Sequence, residues 1–196
     1  MERGFYELTF ELAPITDALE DAIADAFECV VASHSDVTTV TLTAEGRTCV
    51  AAALGATEDL RLLGADVRRL VDDLVGRREI ARRAGVTPQA VGLWVRGERH
   101  AGVSFPPPFV LAGGGLWLWG EVLPALASRG VTLGDDIGYP TRHDAQVIGG
   151  AMAASHVSGA SIWGHRMRLR TAAFTTTRPA TAVPMRVVAA QLATAS

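Results

Sequence analysis

The chain has 196 residues, 48% of them hydrophobic, and a net charge of −3, which suits one full domain or two small ones and excludes a globally disordered protein. No run approaches the roughly 20 apolar residues that span a bilayer, and residues 1–7 lack the basic-then-apolar order of a secretion signal, so we expect a cytoplasmic protein with no membrane partner. The two cysteines, Cys29 and Cys49, have neither a metal-ligand nor a disulfide spacing, so we expect them to be small buried residues. No metal and no cofactor are expected, since the sequence offers neither a metal cluster nor a phosphate loop.

Charge is divided unevenly along the chain. Residues 1–76 carry fifteen acidic side chains and five arginines, residues 77–130 carry three acids and seven arginines, and residues 131–196 carry three acids and six arginines. An acidic body with a basic segment can bind phosphate through that segment. The chain contains no lysine and no asparagine, a bias typical of a GC-rich coding genome, so its arginine content alone does not indicate nucleic-acid binding.

The first predicted elements describe a small α+β module. Residues 5–12 largely alternate apolar and polar side chains, as a half-buried strand does. Residues 15–28 repeat apolar side chains at helical spacing and carry acids on the opposite face. Two strand-like runs, 37–43 and 48–54, are separated by a short hairpin turn at residues 44–47.

A second helix and a last strand complete this module. Thr57 is predicted to begin the helix, because Glu58 and Asp59 then lie in its first turn, where negative charge is favoured. A final strand is expected at residues 71–75. The order of elements predicts a ferredoxin-like sheet with helices on one side. Because its acids lie on helix faces and form no catalytic constellation, we expect a packing, dimerisation or partner-binding domain over residues 1–73.

Residues 77–97 predict two short helices joined by a tight turn. The first helix is expected over residues 77–84, and Gly85 suits the left-handed position that ends a helix. Thr87 is a good N-cap and Pro88 a good first residue for the second helix. The second helix would pack on the first through Val91, Trp94 and Val95. This pattern is that of a helix-turn-helix; a chance helical hairpin and a helix-turn-helix that mediates protein contacts are the alternatives.

The segment after this pair reads as a loop, an extended run and a hairpin. Residues 97–103 are polar, and the Phe-Pro-Pro-Pro-Phe run at 105–109 must be extended. Residues 113–115, all glycine, can turn a hairpin that leads into a short helix at 121–128, although Pro124 lies inside it. Trp117 and Trp119 alternate in this hairpin; stacking on a base is possible, but burial in the core is favoured.

Residues 116–122, Leu-Trp-Leu-Trp-Gly-Glu-Val, carry a resemblance to the winged helix-turn-helix proteins of the MerR and excisionase type, in which a Leu-Trp-x-Trp-x-Glu-Val run follows the wing. The chain also resembles small bacterial DNA-binding proteins that join an acidic α+β module to such a helix-turn-helix with a Phe-Pro-x-Pro wing. The resemblance is specific over residues 74–128, looser over 5–73, and does not cover 131–196.

The resemblance implies that the second helix enters the major groove with its N-terminal residues at the base edges, while the first helix contacts the DNA backbone. Gln89 would read adenine, and Arg96 would hold a phosphate or reach guanine. Gly92 and Leu93 depart from the family, in which polar or basic residues are commoner, and this lowers the expected sequence specificity. The candidate DNA contacts are Arg77, Arg78, Arg82, Arg83, Thr87, Pro88, Gln89, Gly92, Leu93, Arg96 and, in the wing, Arg99 and His100. For each arginine, a solvated surface position is the alternative.

Residues 131–196 predict a basic, irregular and poorly ordered tail. Small residues favour a helix at 143–156, and a short helix is expected at 187–193. The basic stretch at 163–170 can touch phosphate, although a disordered arm is the favoured interpretation. His143, Asp144, His156 and His165 have no recognisable metal spacing.

The sequence as a whole predicts a non-enzymatic bacterial transcriptional regulator with modules at 1–73, 74–130 and 131–196. It would bind double-stranded DNA selectively through the helix-turn-helix, as a homodimer built through the acidic module. The alternative from another class is a protein-interaction module, antitoxin-like or a scaffold, whose acidic half binds a basic partner. An enzyme is not expected, since the sequence offers no nucleophile–base pair, phosphate loop or metal cluster.

Overall fold

A computed structural model describes residues 3–98, 104–131, 133 and 136–157, and these residues form an α+β protein. The first half contains β1 (Gly4–Leu12), α1 (Asp17–Ala26), β2 (Cys29–His34), β3 (Val37–Gly46), α2 (Cys49–Leu62) and β4 (Val67–Leu70). The second half contains β5 (Leu74–Val75), α3 (Arg77–Arg83), α4 (Pro88–Val95), a 3-10 turn (Ala112–Gly114), β6 (Trp117–Leu118), α5 (Trp119–Ala127), β7 (Ile137–Gly138) and α6 (Arg142–Val157).

The main sheet is mixed, with the strand order β2-β3-β1-β4, and β1 also pairs with β7. The four strands of this order are antiparallel, whereas β7 runs parallel to β1 and pairs with its first residues. Side chains alternate along β1 as its sequence predicts: Leu8, Phe10 and Leu12 are buried, whereas Glu7 and Thr9 point to the opposite face and are only partly covered. The sheet therefore has one apolar face and one polar face.

Three helices cover the apolar face and form the first core. Leu8 and Phe10 of β1 pack with Val40 and Leu42 of β3, their cross-strand partners. The helices contribute Ile23 of α1, a row of small residues of α2, and two side chains of α6. The buried members of α2 and α6 are Ala52, Ala53, Ala56, Leu60, Ile148 and Met152.

The structure corrects four sequence predictions in this half. The run 48–54 is not a strand, because Thr48 caps α2 by accepting a hydrogen bond from Ala51 N (3.1 Å), and an alanine-rich segment favours a helix. Thr57 therefore lies inside α2, where its hydroxyl donates to Ala53 O (2.8 Å). The hairpin lies between β2 and β3, where Ser35 and Asp36 both have positive φ, and not at residues 44–47. The last strand is β4, earlier than the predicted 71–75.

The second core lies among α3, α4, α5 and the two-stranded ribbon β5–β6. Trp117 and Trp119 are both buried, as favoured from the sequence, and Trp117 Nε1 donates to Pro106 O (2.9 Å) in the extended proline run. The predicted glycine turn is present, since Phe109 N donates to Leu116 O (2.7 Å) across it. The short helix predicted at 121–128 begins two residues earlier, at Trp119.

The segment expected to be a poorly ordered tail begins with ordered elements. The small-residue helix predicted at 143–156 is present as α6, and its Ile148 and Met152 complete the first core. Residues 158–196, which include the basic stretch at 163–170 and the helix predicted at 187–193, lie outside the described residues.

Candidate nucleic-acid interface

The turn between α3 and α4 has the local geometry that its sequence predicts. α3 ends at Arg83, and Gly85 adopts φ of +64°, a backbone conformation that L side chains rarely adopt. Thr87 caps α4 by accepting a hydrogen bond from Ala90 N (3.2 Å), and Pro88 occupies the first turn. The predicted ends of both helices are therefore confirmed to within a residue or two.

Buried side chains fix which faces of α3 and α4 remain accessible. Ile80 and Ala81 of α3 and Val91 and Trp94 of α4 are all at most 5% exposed and belong to the second core. Because these four residues point inward, the start of α4 is left at the surface. Thr87, Pro88 and Gln89 are exposed there, and the free amides of this helix end add partial positive charge.

Three arginines of α3 lie at the surface. Arg77, Arg78 and Arg82 are exposed, and Arg82 donates two hydrogen bonds to the Glu79 carboxylate. The Arg77 guanidinium lies 5.9 Å from the centre of the Trp117 ring. Arg78 has no ion pair with any residue of the described part of the chain.

Two of the expected DNA contacts, Arg83 and Gly92, are less accessible than the sequence predicts. The Arg83 side chain is 26% exposed; it donates to Asp73 and Glu79 and lies 4.9 Å over the Trp119 ring, so its donors are already engaged. Gly92 is buried and thus does not face outward as expected. Leu93 is half-buried.

The end of α4 carries an ion pair that the sequence analysis did not consider. Arg96 is exposed, as predicted, but its guanidinium donates to the Glu98 carboxylate through Nε (2.6 Å) and Nη2 (3.1 Å). These hydrogen bonds lower the pKa of Glu98, so Glu98 stays negatively charged beside Arg96. The two residues are two positions apart, a spacing that does not predict a pair on a helix. Arg99 and His100 lie outside the described residues.

Glu79 is the second acid that the sequence analysis left out. Hydrogen bonds from Arg82 and then Arg83 lower the pKa of Glu79 to about 2. Glu79 lies three and four residues before its partners, a helix spacing that predicts such pairs. Residues 77–98 contain five arginines and two acids, so the surface of α3 and α4 remains net positive after this pairing.

The comparisons with known proteins assign the chain to no family, because no family model, no curated protein and no solved structure matches it. Among the described helices, none is both long and apolar enough to cross a membrane. Within the same residues, His, Cys, Asp and Glu form no group of three or more that could hold a metal ion.

Proposed function

We propose that the chain binds double-stranded DNA through α3 and α4 and acts as a bacterial transcriptional regulator in the cytoplasm. The observation that carries the proposal is the exposed start of α4, with Thr87 and Gln89 at the surface, on a helix that shares a core with the arginine-bearing α3. A helix of this kind can enter the major groove, because its inner face is fixed by Val91 and Trp94. In this interpretation α3 and α4 form a helix-turn-helix, the segment from the extended proline run to β6 forms its wing, and the β1–β4 module is ferredoxin-like.

Each surface residue has a distinct part in this proposal. Arg77, Arg78 and Arg82 contact phosphates from α3, since guanidinium groups bind phosphate oxygens well. Gln89 reads a base, preferably adenine, because its amide both donates and accepts. The Thr87 hydroxyl and the amides at the start of α4 donate to a phosphate. Gly92 and Leu93 offer no polar group to a base, so the expected sequence preference is modest.

The proposal is tested by fluorescence anisotropy of the full chain on mixed-sequence duplex DNA over a salt series. Binding through phosphates weakens linearly in log[salt], and Arg78→Ala should weaken it further and lower the slope by about 1. Arg3→Ala is the matched control, because Arg3 is 60% exposed but lies at the start of the acidic module, paired with Glu45. No binding at low salt, or equal effects of both variants, would contradict the proposal.

A homodimer is part of this proposal, because duplex sites are usually read by symmetric dimers. The acidic module is the proposed dimerisation unit. Sedimentation velocity of the full chain at micromolar concentration should give a dimer, and a monomer at every concentration would remove this part while leaving DNA binding to be judged by anisotropy.

A second candidate function is binding of a basic protein partner through the acidic module. It is favoured by α1, whose exposed carboxylates, on Asp17, Glu20, Asp21 and Asp25, have no ion pair within the described part of the chain. Charge complementarity would steer such a partner to this helix. Two results would favour this candidate over the first. A basic protein should co-purify with the chain in stoichiometric amount, and the double variant Asp21→Asn, Asp25→Asn should lose it. The chain should also show no affinity for DNA.

A further inference from the structure

A cavity of about 450 Å³ lies beside the polar face of the main sheet. Glu7 of β1 lines it from the sheet, Arg82 and Arg83 from α3, Trp119 and Leu123 from α5, and Tyr139 from the segment after β7. Glu7, Arg83 and Tyr139 also line a neighbouring cavity of about 310 Å³. A volume of this order is within the usual range for small-molecule sites.

Glu7 is the charged group of this cavity whose hydrogen-bonding capacity is unused. Within the described part of the chain, the Glu7 carboxylate has no hydrogen bond and no ion pair. The two guanidinium groups, in contrast, are matched by acids: Arg82 holds Glu79, and Arg83 holds Asp73 and Glu79. Three carboxylates therefore face two guanidinium groups, and the excess negative charge lies on Glu7.

Because Glu7 is partly buried, its negative charge is only partly hydrated. Desolvation, and then the nearby Asp73 carboxylate, raise the pKa of Glu7, and Arg83 only partly opposes them. A cation placed next to Glu7 would relieve both effects, because it replaces lost hydration with a charge-assisted contact.

The remaining walls suit the apolar part of such a ligand. Trp119 and Tyr139 meet edge to face, with ring centres 6.4 Å apart, and Leu123, Leu133 and Ile137 complete an apolar side. Trp119 is itself buried, and Arg83 lies over its ring. Tyr139 is only partly buried, so it is the aromatic wall that can attract an organic cation through its π face. A carboxylate without a partner beside aromatic and aliphatic walls is therefore complementary to a cation that carries a hydrocarbon group.

We propose that this cavity is a binding site for a small organic ammonium ion, with Glu7 as its counterion and Tyr139 as its aromatic wall. The site goes beyond DNA binding and does not depend on it. Arg82 belongs both to the cavity wall and to the surface proposed to contact DNA, so a bound ammonium ion would change the affinity for DNA. Only this effect on DNA affinity rests on the proposed function.

Isothermal titration calorimetry of the full chain, without DNA, tests the site. The probes are phenethylamine and benzyltrimethylammonium, with 2-phenylethanol and phenylacetate as the neutral and anionic counterparts of similar size. We expect at least one ammonium probe to bind saturably and both counterparts to bind more weakly. Glu7→Gln, which keeps the shape of the side chain, should weaken the ammonium probe by about tenfold or more, because it removes a charge-assisted contact.

Glu45→Gln is the matched control, because Glu45 lies on the same sheet but outside the cavity and is 47% exposed; it should leave the affinity unchanged. Three outcomes would overturn the proposal: neither ammonium probe binds, a counterpart binds as well as the cation, or Glu7→Gln binds as well as the parent chain. Because no DNA is present, each of these outcomes leaves the proposed DNA binding to its own anisotropy test.

Discussion

Arg83, at the end of α3, holds the carboxylate of Asp73 with two hydrogen bonds, from Nη1 (2.6 Å) and Nη2 (3.0 Å). Asp73 lies in the connection between β4 and β5, so this contact ties α3 to the end of the acidic half of the chain. Burial alone would lower the pKa of the Arg83 guanidinium, but the hydrogen bonds to Asp73 and Glu79 outweigh it and raise the pKa. Arg83 thus remains a charged structural residue.

Breaking this contact should destabilise the protein. Arg83→Met keeps most of the aliphatic stem but leaves the half-buried Asp73 without its partner, so we expect the free energy of unfolding in urea to fall by about 1–2 kcal/mol. Arg82→Met is the control, because the Arg82 side chain is 71% exposed and its loss should not move the midpoint. Equal midpoints for the two variants would contradict the structural role of Arg83.

The contact between Arg83 and Asp73 is a part of the site that the sequence did not predict. Gly85, Thr87 and Pro88 are local signals, and from them the ends of α3 and α4 were predicted correctly. Whether an arginine is free or engaged depends on a residue such as Asp73, ten positions away in sequence, and no helical or strand periodicity encodes that contact. The pairs of Glu79 could be predicted from the sequence, because Glu79 lies three and four residues before its partners on one helix.

Gly120 should be required where α5 meets the segment after β7. An ideal Cβ at Gly120 would lie 2.6 Å from Tyr139 O and closer still to Pro140 O, and neither backbone oxygen can rotate away as a side chain does. We expect Gly120→Ala to lower the free energy of unfolding by about 1–3 kcal/mol, measured by chemical denaturation.

Gly149→Ala provides a control of opposite sign. Gly149 is an exposed residue inside α6, and a Cβ there would meet nothing within 4 Å. Alanine should therefore stabilise the protein by about 0.5–1 kcal/mol, through helix propensity and the lower entropy of the unfolded chain. A Gly120→Ala variant that is as stable as the parent chain would refute the close approach at Gly120.

The fold was predictable where local pattern and burial agree. The alternation of β1 and the helical spacing of α1 gave both elements correctly. The β-branched residues Thr48 and Val50 suggested a strand, but the alanines that follow favour a helix, and the segment forms α2. The hairpin at Ser35 and Asp36 was missed because it uses positive φ without a glycine. The parallel pairing of β7 with β1 joins residues more than 130 positions apart, and local pattern cannot predict it.

Glu7→Gln should make the protein more stable at neutral pH. The folded pKa of Glu7 is raised above its ordinary value of 4.5, so the folded state binds the proton more tightly, and stability falls as pH rises through that raised pKa. Glutamine mimics the protonated acid and removes this loss. Thermal melts should therefore show a higher Tm for the variant at pH 7.5 and no gain at pH 4, whereas a lower Tm at pH 7.5 would contradict the assigned burial of the carboxylate.

Cys49 should be unreactive in the folded protein. Burial, and then the Asp144 carboxylate, raise the pKa of the Cys49 thiol to about 12, so about one molecule in ten thousand carries the reactive thiolate at pH 8. Cys29 is less buried and should react faster. Labelling with iodoacetamide, followed by mass spectrometry, should modify Cys49 only when urea is present, and rapid labelling of Cys49 in the native protein would contradict its place in the first core.

Glu98→Gln should increase the affinity for DNA if α4 lies in the major groove. The carboxylate of Glu98 repels phosphates and occupies two donors of Arg96, so its neutralisation both removes a negative charge and frees the guanidinium for DNA. We expect several-fold tighter binding at low salt, and a gain that shrinks as salt screens the charges. Glu45→Gln removes one negative charge from the acidic module and is the control for net charge alone. An equal gain from both variants in the anisotropy assay would mean that Arg96 does not contact DNA.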